Sequence, residues 1–201
     1  LKSLSRMSDQ FVQVKSKKIH YIEEGSGIPI IMVHGARFSS ETWVEVGTVS
    51  AVSSIPMRVI SVDLPGYGRS EGGQWKDLRD FMNDFIDVLG IQKTALLGAS
   101  LGGNVVASFA VSKPESVLAL ILVGAVGIRD LNADLSKLDG KPTLLIWGSK
   151  DTVSDRSNYE TYMKYVKSSQ FMNIGTNHAC YFDDKNTFNN AVVSFLKKLR
   201  A

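Results

Sequence analysis

Apolar residues recur along this chain in two rhythms. The short runs Ile30–Val33, Thr94–Leu97, Leu118–Val123 and Thr143–Ile146 are nearly unbroken by charge, as strands covered on both faces are. Leu78, Phe81, Met82, Phe85, Ile86 and Leu89 instead recur at spacings of three and four, one face of an amphipathic helix. Phe188, Val192, Phe195 and Leu196 close the chain in the same way. Further helices are expected at Trp43–Ala51, Asn104–Ser112 and Asn158–Val166, with a short one over Leu131–Leu138. Further strands are expected at Arg58–Val62 and Phe171–Ile174, and as an edge pair at Phe11–Val14 and Ile19–Glu23. Strands alternating with helices predict an α/β fold with a mostly parallel central sheet and helices on both faces. No internal repeat or low-complexity segment interrupts the order.

One short interval shapes the expected site. Only Gly124 to Pro142 separates the strand ending near Val123 from the one beginning at Thr143. That is room for a loop and a short helix, so no cap domain is expected. The site should be open and shallow, shaped by loop residues such as Arg37, Phe38, Tyr67 and Tyr181. Such a site admits bulky or protein-borne acyl groups but buries little of a long chain.

Composition narrows the class. With 201 residues, 44% of them hydrophobic, the chain has enough material for one sizeable core. Residues 1–9 are polar and irregular and are expected to fray, with Met7 as an alternative start; residues 10–201 are expected to form a single domain. The net charge of +3 is dispersed apart from Lys15–Lys18 and Lys197-Lys198, which argues against a nucleic-acid partner. No apolar stretch is long enough to span a bilayer and no signal-peptide core is visible, so no membrane association is expected. A single cysteine, Cys180, excludes an intrachain disulfide and fits a reducing, cytoplasmic compartment. A monomer or small homo-oligomer is expected, with a small-molecule ester as ligand; a protein partner is the other class considered.

The chemistry begins at Gly98-Ala99-Ser100-Leu101-Gly102-Gly103, a G-x-S-x-G sequence between an expected strand and an expected helix. In that context the serine sits on a sharp turn with its hydroxyl raised above the sheet, and larger residues at the glycines would collide with the neighbouring strand and helix. A serine hydroxyl needs a base, and the base needs an orienting acid. Of His20, His34 and His178, only His178 follows Ser100, in a polar loop after the last expected strand. Asp151, just beyond the strand Thr143–Ile146 and Gly148, is the favoured acid; Asp155 is its rival, or the cap of a helix starting near Arg156. The oxyanion would be held by the N–H groups of Leu101, at the start of the helix after the serine, and Ala36, in the loop after Ile30–Val33. His34 is expected to hydrogen-bond within that loop. Cys180 reads as a packing cysteine in preference to a reactive thiol. Arg37 has two readings: an anion-binding group in the site, or a partner for Glu41. No metal and no cofactor is called for.

Taken together, His34-Gly35, Asp63-Leu64-Pro65-Gly66-Tyr67-Gly68-Arg69-Ser70, Gly98 to Gly103, Asp151 and His178 resemble the α/β-hydrolase superfamily over nearly the whole chain. The resemblance implies that Asp63 to Ser70 is a structural loop without chemistry. The stretches His34 to Trp43 and His178-Ala179-Cys180-Tyr181 are similar to a small lidless subgroup, α/β-hydrolase domain-containing protein fourteen. That subgroup includes an interactor of a transcription initiation factor. The similarity implies activity on small acyl esters, with acyl transfer from lysine to coenzyme A as a further activity. Members of the subgroup carry serine where this chain has Gly98 and Gly102, so the generic hydrolase roles carry over and the specialised ones do not. The reading is therefore a carboxylesterase-type serine hydrolase for short-chain esters. Its alternatives are acyl transfer to a thiol or amine acceptor, and a protein-interaction module that keeps the fold.

Overall fold

The computed structural model describes residues 7–199. In chain order its elements are β1 (Ser8–Val14), β2 (Lys17–Glu24), β3 (Ile28–Val33), α1 (Glu41–Glu45), α2 (Thr48–Ser53), β4 (Met57–Val62), α3 (Leu78–Val88) and β5 (Thr94–Ala99). There follow α4 (Leu101–Ser112), β6 (Val117–Val123), β7 (Thr143–Trp147), α5 (Arg156–Tyr165), β8 (Ser169–Asn173), α6 (Cys180–Asp183) and α7 (Lys185–Leu196). The eight strands form one sheet in the order β1-β2-β4-β3-β5-β6-β7-β8. β1 and β2 join it antiparallel, and every pairing from β4 to β8 is parallel. The fold is the expected α/β-hydrolase arrangement.

Both faces of the sheet are covered, and the apolar strand runs follow from that. In β3, Ile31 and Val33 enter one core with Phe81, Phe85, Val106 and Tyr162, while Ile30 and Met32 enter the other with Trp43, Val49, Phe188 and Val192. Successive side chains of a strand point to opposite faces, so a doubly covered strand must be apolar at every position. Because the central strands are parallel, their C-terminal ends share one edge. The loops after β3, β5, β6 and β7 therefore converge there.

Three expectations about elements are corrected. The helix expected over Trp43–Ala51 is two helices, α1 and α2, because Gly47 takes a left-handed conformation (φ 89°) between them. Ser8 and Asp9, expected to fray, begin β1: both pair with β2, and Asp9 accepts from the buried His20. Residues 1–6 of that expected segment lie outside the described residues. The segment Ile128–Leu138 is a 3-10 stretch kinked at Asn132 rather than a single short helix. It buries Ile128, Leu135 and Leu138 in the core it shares with α4 and α5, and supplies no cap. Among the described residues, no helix is long and apolar enough to cross a membrane.

Candidate active site

Ser100 stands at the junction of β5 and α4 with φ 53° and ψ −116°, a conformation that costs a non-glycine residue about 1–3 kcal/mol. Two neighbouring glycines make the sharp turn sterically open. A methyl group on Gly98 would lie 2.3 Å from the Gly102 carbonyl oxygen, and one on Gly102 would lie 2.2 Å from the Val33 carbonyl oxygen. No side chain fits either position without backbone movement. The turn is further fixed by hydrogen bonds from Ser100 N–H to Val123 O (2.9 Å) and from Val126 N–H to Ser100 O (3.2 Å), which tie it to the end of β6.

His178 reaches Ser100 from the loop between β8 and α6. Its Nε2 lies 2.8 Å from Ser100 Oγ and its Nδ1 2.8 Å from Asp151 Oδ2. With Asp151 ionised, Nδ1–H donates to the carboxylate and Nε2 accepts the serine hydroxyl proton, which fixes the tautomer. Burial pushes the Asp151 carboxyl upward. The bond from His178 and the N–H groups of Ser154 (2.9 Å) and Val153 (2.8 Å) outweigh it and hold the group below its ordinary value. Asp155 has the other role considered for it: its carboxylate caps α5 by accepting from Ser157 N–H at 2.7 Å.

Several supports of this geometry carry no motif. Gly124, at the end of β6 with φ 51°, leaves room for the pair: a methyl there would lie 3.0 Å from Asp151 Oδ2 and 3.2 Å from His178 Nδ1. Ser154 is buried, gives its hydroxyl to Ala125 O (2.6 Å) and so anchors the Asp151 loop to the loop after β6. Asp183 accepts from the N–H groups of Thr176 and Asn177, both at 2.8 Å, and secures the loop carrying His178. No motif spacing points to them: Ser154 lies three residues from Asp151, Asp183 five from His178, and Gly124 at the end of a different strand.

A cavity of about 560 Å3 opens over Ser100 and His178. Ala36, Arg37, Phe38 and Tyr181 line it; Tyr67 does not, and packs instead on the ring of His34 at 5.1 Å. Tyr181 is held by Trp43, with ring centroids 4.9 Å apart, and burial pushes its phenol upward. The N–H groups of Ala36 and Leu101 have no protein partner among the described residues. Arg37 makes no ion pair among those residues, so its expected alternative partner, Glu41, is not engaged. His34 is fully buried: its Nδ1–H donates to Gly35 O (2.8 Å) and its Nε2 accepts from Leu64 N–H (3.1 Å). Burial holds its imidazole below the ordinary value, in the neutral form those two bonds require. Cys180 is buried and its thiol is pushed up to about 12, chiefly by burial.

Comparison with known proteins places this arrangement in a family. The family model described as alpha/beta hydrolase fold matches residues 28–139, more than half of the chain. The chain belongs to the α/β-hydrolase family. Within that family it is similar to the ABHD14 proteins. It is 28% identical to protein ABHD14A of Danio rerio over 86% of this chain, and spans 65% of that protein's length. It is 25% identical to ABHD14B of Rattus norvegicus over 96% of this chain and 97% of that one, a protein whose name carries protein-lysine deacylase as a provisional assignment. Among solved α/β-hydrolase structures it resembles a predicted CIB-like hydrolase of Thermoplasma acidophilum, with a TM-score of 0.91 at 26% identity, covering 97% of this chain and 100% of that one.

Proposed function

We propose that this α/β-hydrolase is a carboxylesterase-type serine hydrolase that cleaves short-chain esters through an acyl-enzyme. The observation that carries the reading is the continuous line from Ser100 Oγ through the His178 ring to Asp151, with 2.8 Å at both links. His178 Nε2 takes the Ser100 proton as Oγ attacks the acyl carbonyl, and Asp151 stabilises the imidazolium that forms. The oxyanion is held by Leu101 N–H, at the positive end of the twelve-residue α4, and by Ala36 N–H. His178 then protonates the leaving alcohol. Water, deprotonated by the same imidazole, releases the acid, and Ser100 regains its proton.

His34 supports the second oxyanion donor. The Gly35–Ala36 peptide is planar and trans, so its C=O and N–H point in opposite directions. His34 Nδ1–H and Phe38 N–H (3.1 Å) both hold the Gly35 carbonyl, which aims Ala36 N–H away from them. Gly35 itself is close to the nucleophile, since a methyl on it would lie 3.4 Å from Ser100 Cβ.

The test is a 4-nitrophenyl ester series from acetate to decanoate on the wild type and Ser100→Ala. Turnover that favours the short chains and falls by at least about a thousandfold in the variant supports the reading. Equal turnover in the two proteins would sink it. The name of ABHD14B favours a second reading, acyl transfer from a lysine amide. Acetyl-lysine peptides, with and without a thiol acceptor such as coenzyme A, separate that reading from ester hydrolysis.

A further inference from the structure

Arg37 is the exception among the described arginines. Arg58 sits on Glu23, Arg69 on Asp9, Arg79 on Asp77, Arg129 on Asp130 and Asp155, and Arg156 on Glu160. Arg37 has no carboxylate, and it is the arginine that lines the cavity over Ser100. It directly follows Ala36, so its guanidinium is carried by the same loop that supplies an oxyanion donor. The remaining cavity wall offers nothing to neutralise it. The other lining residues, Phe38, Val123, Val153 and Tyr181 among them, include no carboxylate, and Asp151 behind His178 is engaged with that ring and two backbone N–H groups. A guanidinium keeps its charge at any physiological pH and presents a planar fork of donors to an oxyanion. Arg37 is exposed at the open side of the cavity, so it is free to meet an incoming anion and the contact is sensitive to salt.

We infer that Arg37 is an anion subsite of the esterase centre: the preferred substrate carries a carboxylate or phosphate a few bonds from the scissile carbonyl, and Arg37 pairs with it. This rests on the ester-hydrolase reading above. The anion can belong to the acyl part or to the alcohol part, and two substrate pairs distinguish them. The acyl side is probed with mono-4-nitrophenyl adipate against the uncharged 4-nitrophenyl adipamate. The alcohol side is probed with 4-carboxyphenyl acetate against 4-carbamoylphenyl acetate.

The wild type is expected to prefer the charged member of one pair by about threefold or more in kcat/KM, the scale of one solvent-exposed charge contact. That preference should shrink as NaCl rises from 0.05 to 0.5 M. It should vanish in Arg37→Gln and survive in part in Arg37→Lys, which keeps the charge but not the fork. The ratio within each pair is the readout, so a general loss of activity in a variant does not mimic the effect. Wild type that turns over both members of both pairs equally, or Arg37→Gln that keeps the preference, overturns the subsite while leaving the esterase reading intact. No turnover of any of these esters, or of 4-nitrophenyl acetate, overturns the esterase reading and the subsite with it.

Discussion

Two imidazole–carboxylate pairs stand in this molecule, and they differ in what occupies the second ring nitrogen. His178 donates to Asp151 at 2.8 Å and meets the Ser100 hydroxyl on its other side. His20 donates to Asp63 at 2.7 Å and meets the Asp9 carboxylate on its other side, also at 2.7 Å. The first ring is 23% exposed, at the floor of the cavity; the second is fully buried between β1 and the loop after β4. Both nitrogens of the His20 ring are taken up by carboxylates, so it has no free position to turn toward a hydroxyl. The His178 ring keeps one nitrogen free to accept a proton. The pair distances differ by only 0.1 Å; the third group and solvent access separate the pair proposed to act on a substrate from the one that ties β1 and β2 to the loop after β4.

The comparison breaks first at Asp151. Asp151→Asn keeps the size of the side chain but loses the charge that fixes the His178 tautomer and stabilises its imidazolium, so kcat on a short-chain ester should fall by roughly 10³–10⁴-fold. The melting temperature should move little. A variant that melts far earlier yet turns over normally when folded would exchange the roles assigned to the two pairs.

His20 should show the opposite signature. His20→Gln removes the ring that bridges Asp63 and Asp9, and removing one partner from the buried His20–Asp63 pair costs on the order of 3 kcal/mol in unfolding free energy. Turnover of the folded variant should stay within a few-fold of wild type. The effect is linked to pH. Burial works against ionisation of Asp63, but Arg69 N–H, Ser40 N–H and His20 hold it below its ordinary 3.8. Asp9 is held low chiefly by its bond from His20. Groups with depressed values stabilise the fold fully above 3.8, and that stabilisation disappears as pH falls through their folded values. Urea unfolding followed from pH 7 to pH 3 should therefore show a steeper acid loss in the wild type than in His20→Gln. Parallel curves would mean that the clamp contributes nothing.

This contrast also marks what the chain discloses on its own. The central strands were legible because double burial makes every position apolar, and the nucleophile turn because the glycines at 98 and 102 are dictated by backbone contacts a few residues or one strand away. Asp151 and His178 could be chosen because only one histidine follows the serine and strand ends converge at one edge. The Asp9–His20–Asp63 clamp was not legible: its members are 11 and 43 residues apart, and none belongs to a periodic pattern. Gly47 was hidden inside a helical spacing, since a left-handed residue leaves the apolar rhythm around it almost unchanged. Gly124 and Ser154 act on Asp151 only after β6 and β7 lie side by side.

His34 is the third imidazole, and its ring bonds neither a carboxylate nor Ser100 but the backbone at Gly35 and Leu64. It acts through the Gly35 carbonyl on the Ala36 N–H, so it is a positioning residue. Losing an oxyanion donor outright costs about 10²–10³-fold, and a donor left in place but loosely aimed should cost less, about tenfold to thirtyfold. His34→Gln is expected to lower kcat with KM nearly unchanged, because the donor matters to the transition state and hardly at all to ground-state binding. The same substitution made on Ser100→Ala should lower the residual rate by a similar factor if the oxyanion site still operates there. A rise in KM with kcat preserved would make His34 a pocket wall and nothing more.

The smallest expected effect concerns Cys180, two residues from His178, where a thiol invites a role as a second nucleophile. Its surroundings oppose that. It is buried, its thiol is pushed up to about 12 by burial first and then by the charges of Asp183 and Asp151, and a thiol in that range holds almost no thiolate at neutral pH. Asp151, which accepts from His178, is thus also one of the charges that keep the Cys180 thiol protonated. Cys180→Ala should keep ester turnover within about twofold and lower stability by roughly 1 kcal/mol through lost packing. Iodoacetamide at pH 8 should leave the native enzyme active and label the thiol only after unfolding. Rapid labelling of the folded protein with parallel loss of activity would make Cys180 an accessible thiolate and overturn its assignment as a packing residue.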